Sequence, residues 1–210
     1  MRIFQVPELL SSYVALCALI FALFELHLRI HNETIEKVGK LYSKTLSICQ
    51  QLKVQVLSVK KLSENIAELS TEEVKGYANS HLRNKALALS IHEIMDLALP
   101  CFNLNEKTQE IKSVQTIYNF TSLAASLEAS ITAFYQGILA GSNYRAPEIE
   151  NIYNRMNEYL VIIEADDAQK VISGRLTKLR GTKYSRYSLW ILICLVLFAL
   201  IEGLSRIGCY

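Results

Sequence analysis

Two apolar runs, one near each end, set the strongest limit on what this chain can fold into. The first occupies residues 9–28 around the core YVALCALIFALF, and the second occupies 187–204 around LWILICLVLFALI. A hydrocarbon layer about 30 Å thick takes about 20 helical residues to cross, so each run is near the lower end of a spanning length. Neither has proline or glycine within its apolar centre, and Phe21, Phe24, Leu195 and Phe198 leave no polar stripe to line a channel. Tyr13 at one border, and Tyr184, Tyr187 and Trp190 at another, fit an interfacial aromatic belt. Two such runs flanking a polar middle are hard to bury in a soluble core. The fold class expected is an all-α membrane protein, with two transmembrane helices flanking a four-helix bundle or an extended, coiled-coil-like domain.

The segments follow directly: a tail at 1–8, a span at 9–28, a helical domain at 29–186, a second span at 187–204 and a tail at 205–210. The first run is read as an uncleaved anchor rather than a signal peptide. Its n-region carries one arginine and one glutamate, and no small-x-small cleavage site follows the apolar core.

Basic residues near the spans give an orientation. Arg29, Lys37, Lys40 and Lys44 follow the first span, against Arg2 before it. Lys170, Arg175, Lys178, Arg180, Lys183 and Arg186 precede the second, against Arg206 after it. Both spans therefore place the middle domain in the cytoplasm and both ends across the membrane, with a bacterial inner membrane favoured. Two features point the other way. Asn32-Glu33-Thr34 and Asn119-Phe120-Thr121 match the glycosylation acceptor pattern. The span–bundle–span order also resembles, in coarse layout only, the input domains of chemoreceptors and sensor kinases.

The five cysteines form neither a disulfide framework nor a metal knuckle. Cys17 and Cys194 lie in the spans and Cys209 near the end, leaving Cys49 and Cys101 in the domain. Cys49 reads as a core residue of its helix, with a Cys49–Cys101 bridge as the alternative for an extracytoplasmic domain.

The domain itself reads as four helices. Ile35, Val38, Tyr42, Thr45, Cys49, Leu52, Val56 and Val59 step by three and four, continuing to Ile66, with Leu41, Ile48, Leu62 and Leu69 widening the stripe. This seam is also the expected site of self-association, since it is long enough to continue past a compact bundle. Ser70 and Glu73 have capping-box spacing and start a second helix that runs to about Ala98, where Pro100 stops it. Its apolar face is Val74, Tyr77, Leu82, Ala86, Leu89, Ile94 and Leu97. After a link at 101–105, Ile117, Phe120, Ala124, Leu127, Ile131, Phe134 and Ile138 mark a third helix ended by Gly141. Pro147, with Glu148 and Glu150 in the first turn, opens a fourth, whose inward row is Ile149, Ile152, Met156, Leu160, Ile163 and Val171. Short links favour an up-down-up-down order, which returns the chain to the end of the domain where it entered.

Catalytic chemistry is not written in the sequence. There is no HExxH, no CxxC, no GxxxxGKS phosphate loop and no GxSxG elbow. The four histidines, His27, His31, His81 and His92, lack companion acids at ligand spacing, so no metal and no cofactor are expected. Asp166 and Asp167, after Glu164, read as a solvated acidic patch on the fourth helix. Glu25 and Glu202 sit at span borders near opposite membrane surfaces and form no proton path. A net charge of +2 with no aromatic-basic surface argues against nucleic acid.

The basic group Lys170, Arg175, Lys178, Arg180, Lys183 and Arg186 is instead suited to anionic lipid headgroups. The function expected is non-enzymatic: a membrane-anchored helical scaffold, regulator or inhibitor that contacts membrane lipids and a protein partner or a second copy of itself. The alternatives are an extracytoplasmic ligand-sensing bundle and a small pore-forming or membrane-lysis protein.

Overall fold

The computed structural model describes residues 5–82, 86–102, 108–142 and 144–181, and then 190, 192–193, 195–198 and 200. Every regular element among them is helical. These are α1 (Gln5–Asn65), α2 (Thr71–Leu82), α3 (Ala86–Ala98), a 3-10 turn (Leu99–Cys101), α4 (Thr108–Leu139), α5 (Ala146–Ala165) and α6 (Ala168–Gly181). The chain divides into two compact units, Met1–Glu36 with Leu176–Tyr210, and Lys37–Arg175.

In the first unit α1 carries the N-terminal apolar run. Among the described residues it is the one helix long and apolar enough to cross a membrane, and none of its apolar window is buried. Val14, Leu16, Leu19, Phe21, Leu23, Leu26 and Ile30 are each more than half exposed. Beyond this stretch Arg29 pairs with Glu33 at 3.2 Å, one turn on. The second apolar run lies largely outside the described residues; those of its residues that are described are helical.

The second unit has the core. On α1 the buried row is Val38, Leu41, Thr45, Ile48, Cys49, Leu52, Val56, Val59 and Leu62. Leu41 is fully buried while Tyr42 is only half-buried, so the inward line runs one residue to the side of the row drawn through Tyr42. Thr45 tolerates full burial because its hydroxyl donates to the Leu41 carbonyl at 2.8 Å, leaving no unmet donor.

The neighbours of α1 run antiparallel to it. Tyr77 of α2 donates its hydroxyl to the Ser58 carbonyl, and Glu93 of α3 pairs with Lys44, so sequence rises on one helix as it falls on the other. On the other flank Lys60 lies over the Tyr153 ring, Lys53 meets Glu164 at 3.0 Å, and Gln169 of α6 donates to the Cys49 sulfur. The remaining row, α4, packs against α2, α3 and α5. Ile117, Phe120, Ala124, Leu127, Ile131, Phe134 and Ile138 are all buried on it, joined by Tyr135.

The turns are set by local chemistry. Ser70 and Glu73 form the capping box: the carboxylate accepts from the Ser70 N–H at 2.8 Å, and the Ser70 hydroxyl accepts from the Glu73 N–H at 3.3 Å. At the end of α4 the Ser142 N–H reaches the Gly137 carbonyl and the Gly141 N–H the Ile138 carbonyl, a Schellman closure. Gly141 adopts φ +91°, the left-handed conformation that such a closure requires. Gly141→Ala is therefore expected to lower stability by about 1–2 kcal/mol, measured as a fall in the unfolding midpoint. Gly137 serves a different need. A Cβ there would sit 2.6 Å from the Tyr144 hydroxyl, whose ring packs on Phe134.

The helix expected over 70–98 is described as two stretches on either side of residues 83–85, and the helix expected from Pro147 is divided at Asp166. α2 ends at Leu82 and α3 begins at Ala86, and the buried row of α3 is Leu87, Ile91, Ile94 and Ala98. Leu89, expected on the inward face, is 63% exposed. α5 ends at Ala165, where Asp166 has extended backbone and its carboxylate accepts the Ala168 N–H at 2.8 Å. That break moves the inward row, so Ala168 and Ile172 are buried rather than Val171. Asp166 is thus a helix-junction residue, while Asp167 is an exposed partner of Lys170.

As sequence rises through α5 and α6 the contacts step back toward the start of α1: Tyr153 meets Lys60, Glu164 meets Lys53 and Gln169 meets Cys49. The chain thus enters and leaves the unit at the same end.

Candidate functional site

The polar groups worth following are those that the bundle does not use for its own caps and ion pairs. α2 and α4 bring together Tyr77, His81 and Tyr135. His81 stacks flat on Tyr135, with centroids 4.6 Å apart and planes 5° from parallel; Tyr77 leans on His81 at 4.9 Å. Phe134 extends the aromatic group at 5.1 Å from Tyr135. Tyr77 is satisfied through Ser58, but the Tyr135 hydroxyl is buried and makes no hydrogen bond among the described residues. Burial holds the Tyr135 phenol far above its ordinary titration range, so it stays a neutral donor.

Beside this group lies a cavity of about 500 Å³. α1 contributes Gln55 to its wall, α2 His81, and α4 Glu128, Thr132 and Gln136. Leu89 of α3 lines it too, which gives that exposed side chain a setting. Thr132 donates to Glu128 at 3.0 Å. This is a mixed wall: apolar sides with a few polar groups from several helices, the usual make-up of a small-molecule pocket.

Burial also pushes the His81 imidazole below its ordinary value of 6.5. The unfolded chain then binds a proton at pH values where the folded chain does not. This contribution to stability is complete above about pH 6.5 and is lost as the pH falls from there toward the lower folded value. His81→Gln should flatten the stability profile across that mildly acidic window, as measured by denaturant unfolding at stepped pH.

Neither a family model, nor a curated protein, nor a solved structure matches this chain.

The basic group divides. Lys170 pairs with Asp167 at 2.8 Å, on the surface. Arg175 turns inward, pairing with Glu110 of α4 at 2.9 Å with both side chains about four-fifths covered, and its guanidinium lies 5.8 Å from the Phe102 ring centre. It therefore ties α6 to α4. Lys178 and Arg180 are exposed on α6, whereas Lys183 and Arg186 lie outside the described residues.

The row offered for self-association is likewise used within the chain. Val38, Thr45, Leu52, Val56 and Val59 have no exposed surface, and Cys49 is buried; Ile35 and Tyr42 are half-buried. A second copy could reach this row only by displacing the chain's own helices. Cys49 and Cys101 are separate free thiols. Cys49 accepts from Gln169, Cys101 donates to the Leu97 carbonyl, and burial raises both above the ordinary thiol value. Among the described residues no group of three His, Cys, Asp or Glu is placed to hold a metal ion.

Proposed function

We propose that this chain is a non-enzymatic helical module held in a membrane by two spans, which displays its Lys37–Arg175 bundle on the cytoplasmic face as a scaffold or regulator of protein partners. The observation that carries this reading is the bare apolar stretch of α1, with seven large side chains from Val14 to Ile30 more than half exposed. Fully burying an exposed side chain of this kind is worth about 1.5–3 kcal/mol, and with a little over half of their surface still open these seven would gain roughly 6–12 kcal/mol on leaving water. A lipid environment accounts for that arrangement without a second protein surface.

Entry and exit at one end of the bundle support a pair of spans in the same membrane, because both flanking segments must reach the same surface. Exposed Lys178 and Arg180 are suitable for contact with anionic headgroups, each adding about 1 kcal/mol near the surface before screening. The orientation rests on the excess of Lys and Arg beside both apolar runs.

The test places a single cysteine at Ser142, in the exposed turn after α4, in a cysteine-free background. A membrane-impermeant maleimide should label it only after the membrane is opened. Rapid labelling of intact cells would reverse the orientation and favour an extracytoplasmic sensor.

A further inference from the structure

We propose that the cavity between α1, α2, α3 and α4 binds a small organic amine, with the ammonium on Glu128 and an apolar body against Leu89 and Ile131. This inference is independent of membrane anchoring, since every residue it uses belongs to the Lys37–Arg175 unit. Three observations point to it.

The first is size. About 500 Å³ suits a ligand of one or two rings, and it falls within the range of ordinary small-molecule sites.

The second is unused hydrogen-bonding capacity. One Glu128 oxygen takes the Thr132 hydroxyl, and the other has no partner among the described residues. The same holds for both ring nitrogens of His81 and for the side-chain amides of Gln55 and Gln136; all four residues line the cavity. Four residues with unused polar groups, drawn from three helices, thus border one space. Tyr135 lines the same cavity, and its buried hydroxyl also has no partner among the described residues.

The third is charge. Among the described lining residues Glu128 is the one carboxylate and no Lys or Arg lines the space, while burial shifts His81 and Tyr135 toward their neutral forms. A carboxylate facing a partly enclosed space attracts a cation and repels an anion, more strongly than it would in open water. Leu82, Ala88, Leu89 and Ile131 supply apolar walls, so the ligand needs a hydrophobic body as well as a charge. An ammonium also brings several N–H donors, which match the free carboxylate oxygen and the amide carbonyls of Gln55 and Gln136.

Three probes of one shape and different charge decide the matter: phenethylamine, 2-phenylethanol and 3-phenylpropionate. Binding is read by saturation-transfer NMR on the full chain in detergent micelles, with each variant compared in the same micelles so that partitioning cancels. The amine is expected to bind about tenfold more tightly than the alcohol, and the carboxylate not to saturate. Glu128→Gln should bring the amine down to the level of the alcohol and leave the alcohol unchanged. Leu89→Trp, at an exposed position on the wall, should fill the space and abolish binding of both. Far-UV circular dichroism and the melting temperature establish that each variant is folded. Equal binding of amine and alcohol to the wild type would overturn the proposal. So would amine affinity that survives Glu128→Gln or Leu89→Trp in a folded protein, or failure of the amine to saturate at millimolar concentration.

Discussion

Leu52→Asp together with Val59→Asp is expected to abolish the cooperative unfolding transition of the Lys37–Arg175 unit. Both side chains have no exposed surface, and they lie seven residues apart on the buried row of α1. Truncating one buried leucine to alanine costs about 2–5 kcal/mol through lost transfer energy and the cavity left behind. Aspartate adds the cost of an unpaired carboxylate, which either loses its hydration or must take up a proton; this is several kcal/mol for each site. The sum matches or exceeds the about 5–15 kcal/mol by which a domain is ordinarily stable. Val54→Asp on the same helix is the control. Val54 is 62% exposed, and its replacement should change stability by no more than about 0.5 kcal/mol. Circular dichroism melts of both variants read the difference. A normal melt for the double variant would place this row outside the core and make it available to a second copy of the chain.

Tyr135→Phe is expected to raise stability, the opposite of the usual result for a buried substitution. A buried donor without a partner costs about 1–3 kcal/mol of lost hydration, and phenylalanine removes it while keeping the ring against His81. For a domain of this size the melting temperature should rise by roughly 3–5 °C per kcal/mol recovered. Tyr77→Phe is the matched contrast. Its hydroxyl donates to the Ser58 carbonyl at 3.3 Å, so the same change there should lower stability by about 0.5–1.5 kcal/mol. If Tyr135→Phe also lowers it, the hydroxyl has a partner, and the account of Tyr135 as an unpartnered donor fails.

The contrast between these tyrosines shows which parts of the molecule local sequence could reveal. The buried row of α4 was legible because seven apolar residues keep one helical period from Ile117 to Ile138 without a break. The Ser70–Glu73 cap, the Gly141 closure and Pro147 in the first turn of α5 were legible because each acts over three to five residues. Reading failed where the buried face changes without proline or glycine to mark it. One period carried on from α2 puts Leu89 inside, whereas on α3 Leu87 and Ile91 are buried and Leu89 is exposed. At Asp166 the same thing happens: a short side chain that bonds the Ala168 N–H ends one helix and starts the next, moving burial from Val171 to Ile172.

The candidate site was less legible than the fold. Gln55, His81, Glu128 and Tyr135 come from three helices, and no spacing along the chain signals their meeting. Arg175 and Glu110 are 65 residues apart, so a count of basic residues before the second apolar run assigned Arg175 to the surface. Only tertiary packing shows that its charge is already paired.

The most direct test of the membrane assignment is fractionation of the full chain after an alkaline carbonate wash, followed by flotation. The chain should rise with the lipid, since no peripheral ion pairing survives that treatment while a buried apolar helix does. Leu19→Lys with Leu23→Lys, which places two charges in the bare stretch of α1, should weaken that retention. Recovery of the unaltered chain in the soluble fraction, away from lipid, would contradict the account.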